Sequence, residues 1–250
     1  MVTPVMDNAG PHPAGQHDRA PSVVEIVRSL AFYFAFYGVT VLLAGFAGLS
    51  AALSERALRH VVHGWTWWHR RCARIFLGIR VESQGFVPRR GVLYAIRHES
   101  FFEAIDLPCQ YDCPVPFAKI ELLRLPLWGP AGRRYGLIGV ERDAGAKALR
   151  TMISAARKIS ASGRPLVIFP EGTRVRHGQS PALQAGFAGI YKMMGLPVIP
   201  VALDSGPLYH RFWKRSGTIH YRYGEEIPPG LPREELEARV HAAINALNHA

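Results

Sequence analysis

The chain has 250 residues, and its 30 Lys+Arg against 19 Asp+Glu leave a formal charge of +11, so part of its surface carries a strongly positive field. A hydrophobic share of 48% with 20% charged residues supplies a full core and excludes a disordered chain. The cysteines, Cys72, Cys109 and Cys113, are too few for a disulfide scaffold and lack a partner pair at zinc-finger spacing, so a reducing compartment and no metal site are expected.

A polar tail over 1–22 precedes an uncharged run. From Ser29 to Ser54 there are 26 consecutive residues without Asp, Glu, Lys, Arg or His. As one helix this is roughly 39 Å long at about 1.5 Å per residue, against a hydrocarbon core of about 30 Å. That length suits a membrane span, and equally a helix kinked at Gly38, Gly45 or Gly48 that lies in one leaflet. A cleaved signal peptide fits poorly, because the preceding 28 residues carry two Arg and three acids instead of a short basic start.

Residues 56–80 contain six arginines and no acid. Leu58, Val61, Trp65, Trp68, Cys72, Ile75 and Ile79 recur at steps of three or four, which predicts an amphipathic helix over 56–80. Trp65, Trp67 and Trp68 with Arg70, Arg71 and Arg74 suit the boundary of an anionic bilayer and are the candidate membrane-binding residues. Basic residues interleaved with aromatics also suit nucleic acid, but their place directly after a bilayer-length run favours the membrane, and no nucleic-acid partner is expected. Residues 23–84 thus read as a membrane-associated helical pair, with the arginines keeping the C-terminal remainder of the chain in the cytoplasm.

Over 85–250 short apolar runs, VLYAI (92–96), PVPFA (114–118), LIGV (137–140), PLVIF (165–169) and PVIPVAL (197–203), alternate with helix-compatible stretches around 149–159 and 185–194. This predicts an α/β domain, a mostly parallel sheet with helices on its faces. A strand at 218–226 is expected at the sheet edge, and a last helix comes after Pro232. Ligands of such sheets bind beyond the carboxyl ends of the strands. The residues there are His98 and Glu103, Lys119, Arg142, and Glu171-Gly172-Thr173-Arg174.

His98 and Glu103 are five residues apart, too far around a helix to share a face. With His98 in the loop and Glu103 in the first turn of the next helix, the carboxylate folds back onto the imidazole and holds one tautomer, the base-and-orienter half of a triad. No G-x-S-x-G elbow is present and the cysteines lie in no nucleophile context, so a covalent acyl-enzyme is not indicated, and without H-E-x-x-H a zinc peptidase is rejected. A base without a protein nucleophile points to activation of a substrate hydroxyl. Lys119, Arg142 and Arg174 suit a phosphate, and phosphate beside hydroxyl describes a polar lipid head group.

His98-x4-Glu103, Gly136-Leu-Ile-Gly-Val-Glu-Arg142, Phe169-Pro-Glu-Gly-Thr-Arg174 and Leu196-Pro-Val-Ile-Pro200, in this order, resemble the four blocks of the glycerolipid acyltransferase family, most closely its bacterial 1-acyl-sn-glycerol-3-phosphate acyltransferase branch (PlsC type). The similarity covers about residues 85 to 230. It implies that His98 is the general base on a glycerol hydroxyl, which attacks the thioester of acyl carrier protein or coenzyme A. It also implies that Glu103 orients His98, and that Arg142 with Glu171, Gly172, Thr173 and Arg174 holds the phosphate of lysophosphatidic acid, with Lys119 nearby. The thioester is a cosubstrate and no further cofactor is implied; the location implied is the cytoplasmic side of the bacterial inner membrane. Two departures stand out: Glu103 replaces the usual Asp, with Glu99 and Asp106 as rival orienters, and Gln184 replaces a frequent Lys, leaving Lys192 or Arg176 to compensate. The alternatives are an acceptor such as glycerol 3-phosphate or a phosphate-free lyso-lipid, and a non-catalytic membrane-binding protein on the same fold.

Overall fold

The computed structural model describes residues 19–85, 91–126, 128–140 and 146–248. Two helices come first among the described residues, α1 (Val23–Leu53) and α2 (Glu55–Cys72). Ser54 caps α2 by accepting a hydrogen bond from the Ala57 N–H. A π-helical turn, Ala73–Leu77, extends α2 until Gly78 at φ 69°, a left-handed conformation that glycine adopts at little cost, ends it. Then come β1 (Ile79–Gln84), β2 (Leu93–Ile96), α3 (Phe102–Gln110), β3 (Val115–Lys119), α4 (Ile120–Arg124), α5 (Trp128–Tyr135), β4 (Ile138–Val140) and α6 (Ala146–Ser160). The remainder is β5 (Leu166–Ile168), α7 (Ala185–Met194), β6 (Val198–Leu203), α8 (Gly206–Tyr209), β7 (Gly217–Tyr223) and α9 (Arg233–Ile244).

Among the described residues, seven strands form one sheet in the order β1-β7-β6-β2-β5-β3-β4. All neighbouring pairs are parallel except β6 and β7, the mostly parallel α/β architecture read from the alternating pattern. Two expectations are corrected. The helix expected to run to residue 80 stops at Gly78, and Ile79–Gln84 forms a strand instead. The strand expected at the edge, β7, lies inside the sheet between β6 and β1. Both have one cause: β1 pairs with a partner more than 130 residues away, Ile79 opposite Gly217, and such a partner leaves no mark in local periodicity.

The central strands are buried on both faces, as parallel strands under helical cover are. Val92, Tyr94, Ile96 and Val167 point to one face, where Phe32 and Phe36 of α1, Cys72 of α2 and Phe102 of α3 pack against them. Leu93, Ala95, Leu166 and Ile168 point to the other, under Ile153, Phe187 and Val240 of α6, α7 and α9. The N-terminal helices are therefore part of the main core. Burying Phe32 and Phe36 contributes about 1.5–3 kcal/mol each.

The opposite side of α1 is apolar and uncovered. Val23, Val27, Leu30, Phe34, Tyr37 and Val41 are all exposed, Phe34 at 86%, and their spacing of three and four places them on one stripe. α1 is tied down along its first half: Arg28 Nε donates to the Phe76 carbonyl of the π-turn, and toward the α/β core Ser29 Oγ accepts from the Lys214 N–H and Tyr33 Oη donates to the Phe212 carbonyl.

Candidate active site

In β2 and β5 side chains alternate between the two sheet faces, so extending the period of two past the last strand residue carries His98 and Phe169 to the α1–α3 side. There the two rings stack, with centroids 4.2 Å apart and planes 22° from parallel. This contact sets the imidazole plane. The Nδ1 edge is set by Glu103, whose Oε1 lies 2.9 Å away, while the His98 side chain keeps 17% exposure.

Glu103 is in the first turn of α3, fully buried, and reaches back over the loop. Its Oε1 also accepts the backbone N–H groups of Glu99 and Ser100, at 2.6 Å each. Its Oε2 accepts the hydroxyls of Ser100 and Ser205, at 2.9 and 2.7 Å. Burial alone would raise the Glu103 pKa, but the donors, His98 first among them, hold it below the ordinary carboxylate value. An ionised Glu103 accepts from Nδ1–H, which leaves the Nε2 lone pair as the basic site. Ser100-Phe-Phe-Glu103 has capping-box spacing and half of its bonding: the Glu side chain takes the Ser100 N–H, while the Ser100 hydroxyl accepts from the Phe102 N–H. The longer Glu arm spans this distance, which accounts for Glu where Asp was expected.

The rival orienters are engaged elsewhere. Glu99 binds the buried Arg97 at 2.7 Å, His177 at 3.0 Å and the Gly206 N–H at 2.8 Å. Asp106 takes both arms of the Arg70 guanidinium, at 2.7 and 2.6 Å, with Tyr221 Oη at 3.2 Å.

Glu171 lies just past β5. Its Oε1 accepts the His98 N–H at 3.1 Å, and its Oε2 is buried without a hydrogen-bond partner among the described residues. Burial pushes this carboxyl up to about 7. Gly172, at φ 66°, closes the turn by donating its N–H to the Phe169 carbonyl at 3.0 Å. Thr173 and Arg174 are exposed, and the Arg174 guanidinium lies 4.1 Å over the Phe101 ring, a cation–π contact at the rim. Lys119 is exposed at the carboxyl end of β3. β3 is two strands from β2, so Lys119 stands about 10 Å across the rim at about 4.8 Å per strand. Arg142 lies outside the described residues, directly after β4. Lys192 and Arg176 are both exposed, and the Arg176 carbonyl accepts from Arg97.

The expected membrane-binding residues divide. Trp65 and Trp68 turn inward, their indole N–H groups donating to Thr40 Oγ1 (3.0 Å) and the Ala35 carbonyl (3.2 Å). Arg70 is spent on the fully buried Asp106. Only Trp67, Arg71 and Arg74 of this set face outward, with Arg71 over the Trp67 ring at 5.5 Å. The inner face of α2 carries Leu58, Thr66, His69 and Cys72, and Ile75, expected on one stripe with Leu58 and Cys72, is 58% exposed because the π-turn shifts the helical phase.

Three further residues complete the site, and sequence pattern marks them unequally. The S-x-x-E spacing marks Ser100, and the alternation of β5 marks Phe169. Ser205 carries no local signal.

Residues 78–204 match the model of a family described as Acyltransferase. The chain is 27% identical over 238 residues to the 1-acyl-sn-glycerol-3-phosphate acyltransferase of Pseudomonas aeruginosa, covering 91% of this chain and 88% of that protein. It is 31% identical over 201 residues to the lyso-ornithine lipid O-acyltransferase of the same organism, covering 71% and 75%. Its fold is similar to the crystal structure of the 1-acyl-sn-glycerophosphate (LPA) acyltransferase PlsC from Thermotoga maritima, with a TM-score of 0.70 over 90% of this chain and 96% of that one at 20% identity.

Proposed function

The chain belongs to the acyltransferase family, and on that premise we propose that it moves a fatty acyl group from an acyl carrier protein or coenzyme A thioester to the sn-2 hydroxyl of lysophosphatidic acid, giving phosphatidic acid. The observation that carries the chemistry is His98, with Nδ1 held by the buried, ionised Glu103 and Nε2 at the rim. Nε2 takes the hydroxyl proton as the oxygen attacks the thioester carbonyl. The tetrahedral intermediate collapses by breaking the C–S bond, and the leaving thiolate is protonated from the imidazolium. Bringing two substrates together over the rim supplies much of the acceleration. The acceptor phosphate is assigned to Arg174, Arg142 and Lys119, with the 171–174 turn shaping the site.

The exposed apolar stripe of α1, with Trp67, Arg71 and Arg74, is the proposed membrane contact. The ties from Ser29 and Tyr33 hold α1 against the α/β core and that from Arg28 holds it to the π-turn, which supports a helix lying in one leaflet over one crossing the bilayer. The location proposed is the cytoplasmic face of the bacterial inner membrane.

A second reading, an ornithine lipid as acceptor, is favoured by the 31% identity to the lyso-ornithine lipid O-acyltransferase and by Gln184 in place of a Lys. Acyl transfer in detergent, with both donors and with lysophosphatidic acid, glycerol 3-phosphate and lyso-ornithine lipid as acceptors, decides between them. His98→Ala is expected to abolish the reaction. Equal activity of His98→Ala would sink the mechanism, and preference for the ornithine lipid would replace the acceptor.

A further inference from the structure

Five donors converge on Glu103, and four of them come from the loop that carries His98. His98 Nδ1, the Glu99 and Ser100 N–H groups and the Ser100 hydroxyl all move with residues 98–103. The fifth is the Ser205 hydroxyl, 2.7 Å from Oε2, and among the described residues it is the one side-chain donor to this carboxylate from outside that loop.

Ser205 is itself held from every side. It is fully buried just beyond β6. The preceding Asp204 is fixed to β7, accepting the His220 N–H and facing His220 Nδ1, both at 2.7 Å. The next residue, Gly206, gives its N–H to Glu99 at 2.8 Å. The Ser205 carbonyl accepts from Tyr209 at 2.8 Å, and Tyr209 Oη meets His69 Nε2 of α2 at 2.8 Å. The segment ends at Lys214, whose N–H donates to Ser29 of α1 and whose Nζ donates to the Tyr209 carbonyl, both at 2.9 Å.

We propose that Ser205 is a positioning residue of the acyl transfer, seating the Oε2 of Glu103 so that Oε1 holds the His98 imidazole at a fixed angle. The proposal rests on the reading of His98 as general base. Without Ser205 the Oε2 keeps only the Ser100 hydroxyl, which moves with the loop that carries His98, so the carboxylate can follow that loop about its terminal torsion, which is soft. The Ser205 hydroxyl removes that freedom and draws negative charge away from the carboxylate. Without it more of the carboxylate's charge rests on its remaining donors, His98 Nδ1–H among them, which couples Ser205 to the pH profile of kcat.

The test is kcat, KM and the pH profile of kcat for wild type, Ser205→Ala, Ser205→Cys and His98→Ala on full-length protein in detergent, with thermal melts alongside. The substitutions leave in place the titratable groups within electrostatic reach of Glu103, namely Glu171, which also takes the His98 N–H, His210, and the buried Tyr209 and Tyr221. Ser205→Ala is expected to lower kcat about tenfold with KM within twofold, and to move the acid limb of the profile upward. Ser205→Cys, similar in size and a weak donor, falls between, and it reads the effect if the Ala variant does not fold. Wild-type kcat and an unmoved acid limb in Ser205→Cys, or in a folded Ser205→Ala, would overturn the proposal, as would a loss of kcat without movement of the limb. Full activity in His98→Ala would instead remove the base assignment beneath it.

Discussion

Glu99 gives its backbone N–H to the Oε1 of Glu103 at 2.6 Å, while its own carboxylate turns away to Arg97, His177 and Gly206. Two fully buried acids four residues apart thus serve different circuits. One holds the imidazole, and the other neutralises a guanidinium buried beneath the loop.

Their substitutions should separate accordingly. Glu99→Gln leaves the buried Arg97 charge uncompensated and should cost about 3–5 kcal/mol of stability, while the folded fraction keeps a kcat near wild type. Glu103→Gln should lose kcat by about 10²-fold or more. Thermal melts with initial rates check both, and a matching collapse of kcat in Glu99→Gln would reassign the orienter.

The arginines of α2 should separate too. Arg70→Ala strands the fully buried Asp106 and should cost about 3–5 kcal/mol. Arg71→Ala and Arg74→Ala, at exposed positions, should change stability by less than about 0.5 kcal/mol and weaken sedimentation with anionic vesicles. Unaltered vesicle binding by the Arg71/Arg74 double variant would remove them from the membrane contact.

Opposite faces of α1 carry opposite expectations. Phe32→Ala empties a fully buried aromatic site and should cost about 3–5 kcal/mol. Phe34→Asp, on the outer stripe, should leave the melting temperature near wild type and reduce membrane retention severalfold. Retention unaffected by Phe34→Asp would move the membrane contact elsewhere.

Glu171 predicts a pH dependence of stability. Its pKa in the fold, about 7, exceeds the ordinary 4.5, so the folded chain holds this proton where the unfolded chain has released it. The stability from this group is full below about 4.5 and is lost as pH rises to about 7, a difference worth about 3 kcal/mol. Glu171→Gln should flatten that part of the profile, because the amide cannot ionise. Chemical denaturation at pH 4.5, 6 and 7.5 reads it, and an identical slope in both proteins would contradict the burial argument.

The parts legible in the sequence share a property: the cause is local. The alternation of the central strands comes from a period of two, and the placement of Glu103 in the first helical turn comes from the five-residue step from His98. The 26-residue uncharged run announced an apolar helix from its own composition. Which of α1's faces is buried was not legible, since nearly all of its residues are apolar and the choice is made by Trp65, Trp68 and Tyr209 packing on one side.

The sequence by itself determined the α/β class, the strand ends where the polar residues gather, and Glu103 as the first candidate partner of His98, because short-range periodicity and chain stiffness suffice for these; its rivals Glu99 and Asp106 were set aside by their contacts in the fold. Tertiary structure alone decided the rest. β1 became a strand because β7 lies beside it, Arg70 became a core ion pair because α2 packs on α3 over Asp106, and Ser205 reached Glu103 because β6 runs beside β2. Each depends on two segments distant in sequence meeting in space, and their contact energy has no counterpart in either segment read alone.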